Sequence, residues 1–274
     1  MDMKFKAAIA TVLVISGNLF ALMVANPVEN TPLGTFRISG EYTHEMRYID
    51  YSGSNDLKME SERLMLKPQF SVIRSTYTDI DAYGLIGTAD VNLPAKSYAS
   101  AYNGSAEPAF GIGFKADMNG VDLDSYGEYR LHFYMDARYL RTLSYGDINY
   151  GSITRWHTKY LWNEYNIAAI AAFEYVDWKG FVPYLGVQWM YIDGKTYRTA
   201  YIYRTDSQGQ QYETSFPVQS EFFNDPGQWP KPVIGVDFKL KKGFVLSFET
   251  IFWGRKGTSL SVGISQIPYK DESE

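Results

Sequence analysis

Residues 35–51 read TFRISGEYTHEMRYIDY, and apolar and polar positions take turns along them. Phe36, Ile38, Gly40, Tyr42, His44, Met46 and Tyr48 form one set. Thr35, Arg37, Ser39, Glu41, Thr43, Glu45 and Arg47 form the other. Successive strand side chains point to opposite faces, so a period of two predicts a β-strand with one apolar and one charged face.

The alternation returns along the whole chain. In 61–73, Leu64, Leu66, Phe70 and Val72 oppose Arg63, Lys67, Gln69 and Ser71. In 109–118, Phe110, Ile112 and Phe114 oppose Gly111, Gly113, Lys115 and Asp117. In 127–140, Leu131, Phe133 and Met135 oppose Glu128, Arg130, His132, Asp136 and Arg138. In 164–175, Ile167 and Phe173 oppose Glu164 and Glu174, and in 181–191 Phe181, Leu185, Val187, Trp189 and Tyr191 share a face. Segments 233–240, 243–253 and 258–266 follow the rule, placing Phe238 and Phe248 opposite Asp237, Lys239 and Glu249; segment 80–91 is a strand whose facing the pattern leaves open.

These segments predict ten antiparallel strands joined in sequence, with connections at 52–60, 92–108 and 146–158. Region 193–231 offers two readings. Its Tyr-rich parity continues from Trp189 and Tyr191 on one side and joins Ile234 on the other, which predicts one long hairpin rather than two extra crossings; the alternative is twelve strands.

Alternation admits two architectures. In a soluble barrel the apolar face is the core. In a transmembrane barrel it meets lipid and the polar face lines the lumen. Several patterns here persist well beyond the ~5–6 residues usual for soluble strands and reach the ~9–11 that a membrane crossing needs. Residues 1–25, with Lys4 and Lys6 before an apolar run, resemble a secretory signal peptide cleaved near Ala21 or Ala25. The expected organisation is 1–25 signal peptide, 26–34 a short N-terminal segment, 35–269 an all-β transmembrane up-and-down barrel, and 270–274 a polar tail.

Composition sharpens this. Tyr occurs 23 times, and a ring with a wettable tip suits a boundary between water and an apolar phase. Tyr48, Tyr51, Trp178 and Trp253 fall near strand ends, where aromatic girdles stand in membrane barrels. A net charge of −5 gives no footprint for nucleic acid, and the absence of cysteine excludes disulfides and thiolate chemistry.

The expected lipid-facing and girdle set is therefore Phe36, Ile38, Tyr48, Tyr51, Leu131, Phe133, Phe173, Trp178, Trp189, Phe238, Phe248 and Trp253. The expected lumen network is Arg37, Glu41, Arg63, Lys67, Lys115, Asp117, Glu128, Arg130, His132, Asp136, Arg138, Glu164, Glu174, Asp237, Lys239 and Glu249.

Segments YGLIG (83–87), AFGIGFKAD (109–117), EYNIAAIAAFEY (164–175) and VPYLGV (182–187) resemble strands of small Gram-negative outer-membrane β-barrel proteins. The resemblance implies residence in the outer membrane, contact with its lipid and lipopolysaccharide, and insertion by the outer-membrane assembly machinery. Ten strands imply a narrow lumen, since open aqueous channels appear at 16–18. Barrels of this size include proteases with Asp and His on extracellular strand extensions, which draws attention to Asp50, Asp147, Asp193 and His157. No nucleophile elbow, zinc spacing or phosphate loop accompanies them, and no cofactor is implied. The expected role is structural, a narrow pore, or surface recognition through long loops; the alternatives are an outer-membrane hydrolase and a soluble secreted ligand-binding barrel.

Overall fold

The computed structural model describes residues 36–51, 54–94, 101–150, 154–178, 180–205, 208, 210–225, 230–240, 243–252 and 257–266. The expected signal peptide, the segment 26–34 and the polar tail lie outside them. So does Trp253, and the side chains of Tyr48 and Tyr51 are outside those described.

Thirteen strands run in chain order: β1 (Phe36–Tyr51), β2 (Ser54–Arg74), β3 (Thr78–Ala89), β4 (Asn92–Leu93), β5 (Tyr102–Asn103), β6 (Glu107–Asp122), β7 (Tyr129–Tyr150), β8 (Thr154–Tyr175), β9 (Phe181–Thr205), β10 (Gln211–Asp225), β11 (Lys231–Lys239), β12 (Phe244–Phe252) and β13 (Gly257–Gln266). Ten of them close a ring in the order β1-β2-β3-β6-β7-β8-β9-β11-β12-β13, every pair antiparallel. Closure is direct, with Tyr42 of β1 facing Val262 of β13 and Leu64 of β2. A closed ring leaves no strand edge unpaired, which a sheet in lipid requires.

The expected single hairpin over 193–231 is present. β10 pairs with β9, from Gln211↔Thr205 down to Asp225↔Ile192, while β11 takes over pairing with β9 from Lys231↔Gln188. Two expected connections are instead strand. β2 begins at Ser54, and β7 and β8 continue to the tight register pair Tyr150↔Thr154. Their residues there alternate too weakly in hydropathy to be read, because both faces of a strand standing clear of an apolar layer meet water.

Burial decides which face is inside. Along β2, every odd position from Met59 to Gln69 is buried, including Arg63 and Lys67, while Leu64, Leu66 and Phe70 are exposed. β3, whose facing the sequence left open, sends Asp81, Tyr83 and Leu85 inward and Ile86 outward. The charged face is the interior.

Two glycines make the interior fit. Tyr83 lies across from Gly113 and Tyr184 across from Gly235 in strand register. A Cβ on Gly113 would stand 2.3 Å from the Tyr83 ring, and one on Gly235 2.1 Å from the Tyr184 ring. Each tyrosine therefore folds flat over the neighbouring strand, filling a narrow lumen that could not hold a ring standing upright.

Candidate functional site

The inward side chains form layers. In the upper layer Arg63 of β2 reaches across the lumen to Glu164 of β8, making a bidentate contact, and also bonds Glu45 of β1 at 2.8 Å. The Trp162 indole N–H donates to the same Glu164 carboxylate at 3.0 Å. In the middle layer Lys67 lies 3.4 Å from Glu41 and 4.1 Å above the Tyr83 ring, whose hydroxyl donates to Asp136 at 2.9 Å. Tyr184 donates to Glu249 at 3.2 Å. Lower down, the Lys115 ammonium sits over the Tyr134 ring at 4.4 Å, and Arg37, Asp117, Arg138 and Asp237 are buried on the inward face of β1, β6, β7 and β11.

Five expected lumen residues sit at the lower mouth instead. Glu174 holds Lys239 at 2.6 Å and His132 at 3.3 Å, a half-buried cluster from β7, β8 and β11. Glu128 and Arg130, expected on the lumen wall, are exposed. β7 starts only at Tyr129, and the Arg130 guanidinium turns to Asp122 at 2.8 Å across the turn that precedes it.

Among the described residues, the buried Arg, Lys, Asp and Glu side chains comprise five bases (Arg37, Arg63, Lys67, Lys115, Arg138) and eight acids (Glu41, Glu45, Asp81, Asp117, Asp136, Glu164, Asp237, Glu249). Buried charges persist only when paired or hydrogen-bonded. Trp162, Met65, Tyr83 and Tyr184 are buried among them.

The outer face carries an apolar belt between two aromatic rows. The lower row runs Tyr129–Tyr175–Trp178–Phe181–Phe238–Phe248, with neighbouring ring centroids 4.6 to 6.0 Å apart. The upper row is Tyr139–Tyr165–Tyr191, at 5.3 and 5.8 Å. Phe133, Met135, Ile167, Leu185 and Trp189 are exposed between them. Phe36 and Ile38 are exposed on the same face of β1, and Leu131 and Phe173 point outward half-buried. From Tyr129 to Tyr139 the strand climbs ~33 Å at ~3.3 Å per residue. At a tilt near ~40° that is ~25 Å along the axis, the height of a barrel's lipid-facing band.

Above the upper row, β7, β8, β9 and β10 continue as a tall wall, whereas β11, β12 and β13 end low. Arg198 sits over the Trp156 ring at 5.6 Å, and Tyr197, Tyr203 and Phe216 are exposed. Asp147 and His157, cross-strand partners on the outward face, bond at 2.9 Å. Arg155 takes the other Asp147 oxygen at 2.9 Å, and this negative neighbour raises the Arg155 pKa. Asp193 stands lower on the same side, level with Asn163. At the opposite rim Tyr175 donates to Asp177 at 2.9 Å, and that hydrogen bond raises the phenol's pKa.

One element escaped the sequence pattern. The stretch around SYASAYNGS reads as turn-forming loop, yet β4 and β5 fold back against β2 and β7. Tyr102 is buried there, its hydroxyl 2.9 Å from Ser144 Oγ and its ring edge-on to Tyr160 at 5.0 Å. Gly146 makes room, since a Cβ would stand 2.6 Å from the ring. The signal was faint: Val91 and Leu93 keep period two past the end of β3. A cleft of about 650 Å³ opens between this loop and upper β7, lined by Asn103, Ser105, Tyr145, Asp147 and Asn149.

No protein family and no curated protein matches the chain by sequence. Among solved structures it is similar to the translocator domain of autotransporter NalP from Neisseria meningitidis, at 8% identity and a TM-score of 0.47 over 96% of this chain and 94% of that one. It is also similar to the β-domain of the Bordetella autotransporter BrkA, at 12% identity and 0.45 over 85% and 99%. The outer membrane protease OmpT from Escherichia coli aligns at 10% identity and 0.37 over 87% and 96%.

Proposed function

We propose that this chain is an integral outer-membrane barrel that stands in the bilayer with its lumen shut and works through the surface that rises above it. The observation that carries this reading is the inversion of faces: buried charges inside, and an exposed apolar belt of bilayer height bounded by aromatic rows outside. The tall side, β7 to β10, faces the exterior, and the short turns face the periplasm. Its exposed aromatics and the polar cleft beside the β4–β5 loop supply a recognition surface that a plain membrane anchor has no need of.

A shut lumen has a direct test in a planar bilayer. The reconstituted full chain is expected to hold the membrane near its bare conductance. Steady open-channel steps would overturn the shut lumen. Extraction of the protein from cells without detergent would overturn the membrane assignment.

A further inference from the structure

The outward face above the aromatic girdle is not uniform around the ring. On β1, β2 and the end of β3 it carries three acids, Glu60, Glu62 and Asp90, against one lysine, Lys58, which pairs with Glu60 at 2.7 Å; Tyr42 donates to Glu62 at 2.8 Å and His44 lies beside it at 3.7 Å. On β7, β8 and β9 the register builds a different surface. Above Tyr139–Tyr165–Tyr191 comes the row Arg141–Asn163–Asp193, then Leu143–Leu161–Lys195, then Tyr145–Lys159–Tyr197. Three cations climb the wall there, against one acid, Asp193. The next acid up, Asp147, is already engaged by Arg155 and His157 at 2.9 Å.

Each row rises ~6.6 Å along the strand, or ~5 Å along the axis at a tilt near ~40°. Arg141 therefore stands ~5 Å above the apolar band, Lys195 ~10 Å and Lys159 ~15 Å. The headgroup layer of an ordinary phospholipid leaflet is only ~5–8 Å deep. The upper two cations overtop it. A lipid whose phosphates ride on a sugar presents negative charge at that greater height. Leu143 and Leu161, between the cations, give an apolar flank for the root of such a lipid, and the Tyr145 ring, with the Lys159 ammonium 5.1 Å from its centroid, gives a flat face for a sugar.

We propose that Arg141, Lys159 and Lys195 form a docking surface for the phosphorylated headgroup of an outer-leaflet glycolipid. This rests on the membrane orientation proposed above. A lipid supplies both features of the surface, the apolar root and the elevated anion, where free phosphate would use only the second. The acidic sector over β1 to β3 repels the same headgroup, so the lipid is held on one side of the barrel.

The test uses the full chain in vesicles of phosphatidylcholine doped with a bisphosphorylated glycolipid, followed by gentle detergent extraction and native mass spectrometry. The wild type is expected to retain the glycolipid. The triple variant Arg141→Gln/Lys159→Gln/Lys195→Gln is expected to lose roughly a hundredfold in retention, from about fivefold per cation near an anionic surface. Arg130→Gln, at the other mouth, is expected to match wild type, and Lys159→Arg/Lys195→Arg to keep the lipid. Undiminished retention by the triple variant overturns the proposal. So does equal retention of the glycolipid without its phosphates, and so does equal competition by inorganic phosphate. If the triple variant fails to fold, the wild type decides alone: retention must fall as salt rises. Flotation of the wild type with the vesicles reads the membrane assignment separately. A chain that floats but retains no phosphorylated glycolipid refutes this surface only.

Discussion

Replacing Arg63 with leucine is expected to lower the unfolding free energy by about 3–5 kcal/mol, measured by urea titration of the barrel in micelles. Arg63 is 1% exposed and bridges Glu45 and Glu164 from opposite sides of the lumen. Leucine fills much of the space but strands two carboxylates in a dry interior. Desolvation, not the lost attraction, dominates that cost. The triple variant Arg63→Leu/Glu45→Gln/Glu164→Gln removes the stranded charges and is expected to recover a large part of the loss. A loss below about 1 kcal/mol for Arg63→Leu alone would mean the lumen holds water that screens the acids, as at exposed ion pairs.

Met135→Arg is the complementary experiment on the other face. Met135 is 48% exposed, and in a soluble barrel an exposed position away from special contacts tolerates change within about ±0.5 kcal/mol. In a bilayer the same position lies near mid-band, between Ala116 and Ala169 in register, where arginine costs about 2–4 kcal/mol. Folding into liposomes, followed by guanidinium titration, is expected to show the larger figure. Tyr203→Arg, on the wall above the belt, is expected to fall within the smaller range. Equal effects at the two positions would remove the distinction between belt and wall.

The strand pattern was legible because each crossing meets two unlike environments, and a period of two records both. Thus Arg37 and Glu41, Phe36 and Ile38, are assigned by parity alone. The limits have the same cause. Above the belt both faces of β7 and β8 meet water, so the code fades and residues 146–150 and 154–158 read as loop. At the lower mouth parity is right but height is not: Arg130 has lumen parity yet lies below the lumen's end, paired with Asp122. The partners inside the lumen were beyond reach for a different reason. Arg63 and Glu164 are 101 residues apart, and their meeting depends on ring closure and shear, which no local pattern encodes. Tyr83 over Gly113 was closer to the surface of the sequence, since a glycine opposite a tyrosine in register is a packing rule. That register, however, emerges only when strands are aligned. Asp147 and His157 are legible singly, and only the tall β7–β8 hairpin makes them partners.

The central claim is that the charged face is inside and the apolar face lies in lipid. The chain has no cysteine, so one introduced thiol reports one place. Leu185→Cys, at a site 66% exposed in the belt, would carry a bimane label in liposomes. Strong quenching by nitroxide-labelled acyl chains with none by aqueous iodide is the result this account predicts. Quenching by iodide with none by the lipid nitroxide would contradict it.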